Sequence, residues 1–144
     1  MEKQFPVVTA SGDNIISLQQ VITNLLKGSV VMASLHNTHI VNEVKQGIPL
    51  GAAMYKAIAV MKALLTTVVA NSNNGEIHIK AERFRDIIIL EIQERNNNNG
   101  YALSFSVNSM EQDAASAGGH ISINGPQQKV TTISFSFPGN LMAA

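Results

Sequence analysis

Apolar residues recur along this chain with two periods, and the switches between them divide it into helices and strands. After "SGDN", which supplies a cap, Ile15, Leu18, Val21, Ile22, Leu25 and Leu26 fall three or four apart and predict a first helix running to about Met32. "NTHIVNEV" reads as a short strand, closed by "QGIPLG". Helical spacing returns from Ala52 to Asn71, with Met54, Ala57, Ile58, Met61, Leu64, Leu65 and Val68 along one face. Met54 and Met61 in this stripe read as core packing. "NSNNGE" then stops the helix and starts a strand.

From there the period is two. In "GEIHIKAERF", Ile77, Ile79 and Ala81 point one way while Glu76, His78, Lys80 and Glu82 point the other. "RFRD" reads as a hairpin turn into "IIILEIQE", where Ile88, Leu90 and Ile92 share a face. A third helix is predicted over about Tyr101 to Ala117. "GGHISING" and "KVTTISFSFPG" form a closing hairpin, with Ile121 and Ile123 in register and then Ile133, Phe135 and Phe137. The last four strands are apolar on one face and Thr, Ser, His, Glu or Lys on the other. Helices therefore cover one side of the sheet, and water or a partner meets the other. The expected fold is a two-layer α/β sandwich: about three helices on one face of a mixed, mostly antiparallel sheet of about five strands. One domain is expected over 1–144, with a lead-in at 1–14 and a core at 15–138.

Composition narrows the function classes. A chain of 144 residues, 45% hydrophobic and 14% charged, suits one folded domain that buries roughly 70% of its unfolded surface. Ten basic and ten acidic residues cancel, and no basic stripe is interleaved with aromatics. Neither a nucleic-acid footprint nor a polybasic membrane anchor is expected. The absence of cysteine excludes disulfides, thiolate metal sites and cysteine nucleophiles. No apolar run approaches the ~20 residues of a membrane span, and a cytoplasmic location without membrane insertion is expected. No phosphate-binding "GxxxxGK[ST]", no "GxGxxG" after a strand and no "GxSxG" elbow is present. His36 and His39, in a predicted strand region, are too poorly spaced for a metal pair, since i and i+3 face opposite sides of an extended chain. His78 and His120 read as solvated polar residues of the outer sheet face.

The order helix, strand, long helix, hairpin, helix, hairpin resembles the ATP-binding domain of sensor histidine kinases, the Bergerat-type fold shared with gyrase and MutL ATPases. "GGHISINGPQQKVTTISFSFP" resembles that family's closing pattern "GG-x-I-x-V…GTT-F-x-F-x-L-P". "ALLTTVVANSNNGEIHI" resembles its asparagine-box helix and following strand, "NLL-x-NA-x-K-x-T…G-x-I-x-I". The resemblance covers about Ile15 to Pro138.

What the resemblance implies for a nucleotide site is a set of positions with altered residues. Ala63 and Thr67 stand where the family has its two phosphate-side asparagines, the second of which holds Mg²⁺. Alanine has no ligand atom, and a threonine hydroxyl is a weaker ligand than an amide carbonyl. Asn71 lies one turn further on the same face, able either to compensate or to cap the helix end. Glu94 takes the place of the aspartate that accepts a hydrogen bond from the adenine amino group; an ordinary polar strand end is the alternative. Asn96 and Asn98 replace the glycines that follow. "NNNNG" stands where a long lid would be, Gly100 and Leu103 remain of the second glycine box, and Ala102 replaces a glycine whose N–H faces phosphate. Thr131, matching the first Thr of "GTT", faces inward like Ile133. The expectation is a histidine-kinase-like domain, degenerate in its nucleotide motifs, that has lost ATP turnover and acts as a regulatory or protein-binding module in two-component-type signalling. Its partner would be a signalling protein or a second copy in a homodimer, and no catalytic residue, metal or cofactor is expected. The alternative is a working adenine-nucleotide domain with divergent motifs, taking ATP or ADP with Mg²⁺.

Overall fold

The computed structural model describes residues 16–51, 54–96, 100–126 and 129–139. Asn98 lies outside them. In chain order the elements are β1 (Ile16–Ser17), α1 (Leu18–Lys27), α2 (Val30–Leu35), β2 (His39–Asn42), β3 (Pro49–Leu50), α3 (Tyr55–Asn71), β4 (Glu76–Phe84), β5 (Ile87–Arg95), α4 (Gly100–Asn108), α5 (Glu111–Ser116), β6 (His120–Asn124) and β7 (Val130–Pro138). The main sheet has five strands in the order β2-β4-β5-β7-β6. The β2–β4 pair is parallel and the other three are antiparallel. This is the mixed, mostly antiparallel α/β sandwich that the sequence pattern predicts.

Two predicted helices are each broken in two. At Gly28 α1 ends, with the Gly28 N–H donating to the Leu25 carbonyl at 3.1 Å and the Ser29 N–H to the Leu26 carbonyl at 2.9 Å, and the chain re-enters helix at Val30. Only Ala33 of α2 is buried, so no apolar stripe holds α1 and α2 in one continuous helix. The second break follows α4, where the Ser109 hydroxyl donates to the Ser106 carbonyl at 2.6 Å and competes with the helical ladder. The β1–β3 ribbon was not expected, because strands of two residues are too short to show a period.

Core packing follows the two periodicities. Leu18 and Ile22 of α1, Met61, Leu64, Leu65 and Val68 of α3, and Leu103 and Val107 of α4 are buried against Ile77, Ile79, Ile88, Leu90, Ile92, Ile133, Phe135 and Phe137. Phe135 and Phe137 are stacked, with ring centroids 4.8 Å apart. Along β5 the alternation is unbroken: each buried residue is followed by a partly exposed one up to Arg95. The last inward position of that strand is not apolar. It is Glu94.

Candidate functional site

Glu94 ends the inner face of β5, between Ile77 of β4 and Thr131 of β7. It is 1% exposed and Thr131 is fully buried. The strand phase alone forces a carboxylate into the apolar layer, and the C-terminal end of α3 then supplies a partner. The Ser72 hydroxyl donates to Glu94 Oε2 at 2.9 Å, and in turn accepts from the Thr38 hydroxyl at 3.1 Å. His36, at the end of α2, approaches the Ser72 and Val69 carbonyls with Nδ1 at 2.9 and 3.2 Å. Both partners are acceptors, so the Nδ1–H tautomer is the one that fits. These groups tie α2, the start of β2, the end of α3 and β5 into one polar network.

Two features mark this network as tight and incomplete. A Cβ at Gly75 would lie 2.7 Å from both Glu94 Oε2 and Ser72 Oγ, so only glycine lets the loop pass the carboxylate. Glu94 Oε1 is buried with no hydrogen-bond partner. Burial raises the Glu94 pKa above its ordinary value, and the Ser72 hydrogen bond acts in the opposite direction. An orphaned buried carboxylate oxygen is an acceptor for an N–H donor, which is what an exocyclic amine would offer. The Thr131 hydroxyl donates to the Gly125 carbonyl at 3.1 Å.

The other described residues expected at the site have partners and surroundings of their own. Ala63 lines a cavity of about 280 Å³ between α3 and the α4–α5 segment, together with Lys56, Val60, Met110 and Asp113. Thr67 is half-buried, and its carbonyl accepts from the Asn71 amide at 2.8 Å. Asn71 thus caps its own helix rather than reaching toward a ligand. Asn96 adopts a left-handed backbone, φ 63°, and its amide donates to the Asn74 carbonyl at 2.9 Å. That conformation suits an Asn in a tight connection. Gly100 is buried as the first residue of α4, and Ala102 is exposed. Among the described residues of the expected set, Glu94 and Thr131 face each other as register partners of β5 and β7.

Ser72, Thr38 and Gly75 were not singled out from the sequence, and His36 was weighed only as half of a metal pair. The available signal was Ser72 directly after the helix and Gly75 before the strand, yet both read simply as loop residues. The histidines also differ from expectation. His36 ends α2 instead of lying in a strand. His78 is not merely solvated: Nε2 and Nδ1 lie 2.8 and 3.1 Å from the carboxylates of Glu76 and Glu43. The hydrogen bond from His78 holds the Glu76 carboxyl below its ordinary value. His120 is exposed, as expected, and sits 3.2 Å from Glu111. Among the described residues no cluster of His, Asp and Glu could hold a metal ion, and no helix is long and apolar enough to cross a membrane.

No protein-family model matches the sequence, and no curated protein matches it either. Solved structures do match. The Acinetobacter baumannii histidine kinase AdeS superposes with a TM-score of 0.69 at 15% identity, over 88% of this chain and 68% of that one. The catalytic domain of histidine kinase ThkA gives 0.67 at 14% identity, over 88% of this chain and 95% of that domain. The chain has the fold of a histidine-kinase catalytic domain. ThkA in complex with the response regulator TrrA gives 0.66 at 14% identity, over 92% of this chain and 43% of the longer kinase chain. The positions aligned with the phosphate-side asparagines are Ala63 in the α3–α5 cavity and Thr67 beneath Asn71.

Proposed function

We propose that this histidine-kinase-like domain has lost ATP turnover and serves as a regulatory or protein-binding module in two-component-type signalling. The observation that carries the reading is the phosphate end of the site. Ala63 offers no ligand atom, and the Asn71 amide is spent on its own helix. Among the described residues, a triphosphate there would meet alanine and threonine in place of the family's two asparagines, and Ala102 in place of a glycine whose N–H would face it. A response-regulator-type protein is the natural class of partner, since the similar kinase ThkA is found in complex with one. Incubation with labelled Mg-ATP, with and without a response-regulator receiver domain, is expected to give neither hydrolysis nor phosphoryl transfer above buffer. Label on either protein overturns the reading.

A second reading rests on Glu94 Oε1, buried without a donor. Glu94 and Thr131 would then hold the base of an adenosine or ADP without turnover. Calorimetric titration with adenosine supports it if binding heat is present in the wild type and absent in Glu94→Ala. Silence in both proteins removes it.

A further inference from the structure

β2 is an edge strand: β4 takes one side, and no described residue pairs with the other. The N–H groups of His39 and Glu43 donate to the carbonyls of Gly75 and Ile79, at 3.0 and 2.8 Å. Backbone groups alternate along a strand, so those of Ile40 and Asn42 are directed outward, away from β4. On the helix side of this edge a groove of about 450 Å³ runs between α2 and β2, lined by Val30, Ala33 and Ile40 among others. α2 carries no charge, and Val30, Val31 and Leu35 are 60%, 72% and 80% exposed. An open edge beside exposed apolar side chains is a template for strand addition.

We propose that β2 pairs antiparallel with β2 of a second copy, about a two-fold axis through Val41. The strand's own pattern selects this partner. Ile40 and Asn42, whose backbone groups face outward, flank Val41 symmetrically. The axis therefore sets Ile40 opposite Asn42 of the second copy, with hydrogen bonds in both directions. It also sets the exposed His39 opposite Glu43 of the second copy, whose carboxylate holds His78 of its own chain through Oε1 and leaves Oε2 for the His39 imidazole N–H. Any other register of the two strands loses that match. Val41 meets itself on the outer face. A four-residue strand is short against the ~800 Å² per partner of a standard interface. The apolar residues of α2 must add to it, and the association is weak and concentration-dependent. The pairing goes beyond the function proposed above and holds whether or not a nucleotide binds.

Sedimentation velocity over a wide concentration range tests it. The wild type is expected to be in reversible monomer–dimer exchange. Val41→Glu and Val41→Lys, each placing like charges face to face at the axis, are expected to weaken the dimer by about tenfold or more. An equal mixture of the two variants is expected to recover it as a heterodimer. A wild type that stays monomeric, a dimer indifferent to both substitutions, or a mixture that stays monomeric overturns the proposal. Should either variant lose its circular-dichroism spectrum, His39→Glu and the double variant His39→Glu/Glu43→Lys read the same register. The first weakens the dimer and the second restores it if the proposal holds; no difference between them overturns it.

Discussion

Glu94 and Ser72 together decide how the centre of the site behaves. Replacing Ser72 with Ala strands a second oxygen of a buried carboxylate and is expected to cost about 1–3 kcal/mol by chemical denaturation. An unchanged midpoint would mean that the hydrogen bond contributes nothing. The pH dependence has a defined sign. Burial raises the folded-state pKa of Glu94 above the ordinary 4.5, so the folded chain retains a proton that the unfolded chain releases. The stability linked to that proton is fully present below the unfolded value and is lost as pH rises through the folded value. Denaturation measured from about pH 4.5 upward should therefore show falling stability in the wild type. Glu94→Gln, which still accepts from Ser72, should flatten that decline. Identical slopes in both proteins would contradict the assignment.

At the scale of elements, the closing hairpin depends on one close approach. A Cβ at Gly119 would collide with the Ser136 carbonyl of β7 and press on Phe135 and Phe137. Gly119→Ala is expected to unpair the start of β6, read as faster hydrogen exchange at Ile121 and Ile123 with slower loss across β4 and β5. Uniform exchange in both proteins would argue against it. Elements were legible where period and length were both strong. The apolar stripe of α3 and the alternation of β4, β5, β6 and β7 match the buried positions. They were not legible where a local hydrogen bond competed with periodicity, as at Ser109, or where strands were two residues long, as in β1 and β3. The inward phase of Glu94 and Thr131 was readable by counting in twos. The Thr38–Ser72–Glu94 network was not, because it joins residues 22 and 34 positions apart through loops without a period.

At the scale of the whole molecule, the described residues have the fold of a histidine-kinase catalytic domain. Apart from the unpaired Glu94 Oε1, the polar side chains around it bond to one another or to backbone. Ser72 serves Glu94, Asn71 serves Thr67, and Asn96 serves Asn74. Those internal bonds are part of what supports the proposed loss of ATP turnover. It is tested most directly by a thermal-shift titration with Mg-ATP, cross-checked by calorimetry. A ligand that binds the folded state stabilises it by ~2.7 kcal/mol at a hundred times its dissociation constant. A domain without a working nucleotide site gives no shift of the midpoint and no binding heat at millimolar Mg-ATP. Saturable micromolar binding with a clear rise in the midpoint would contradict it.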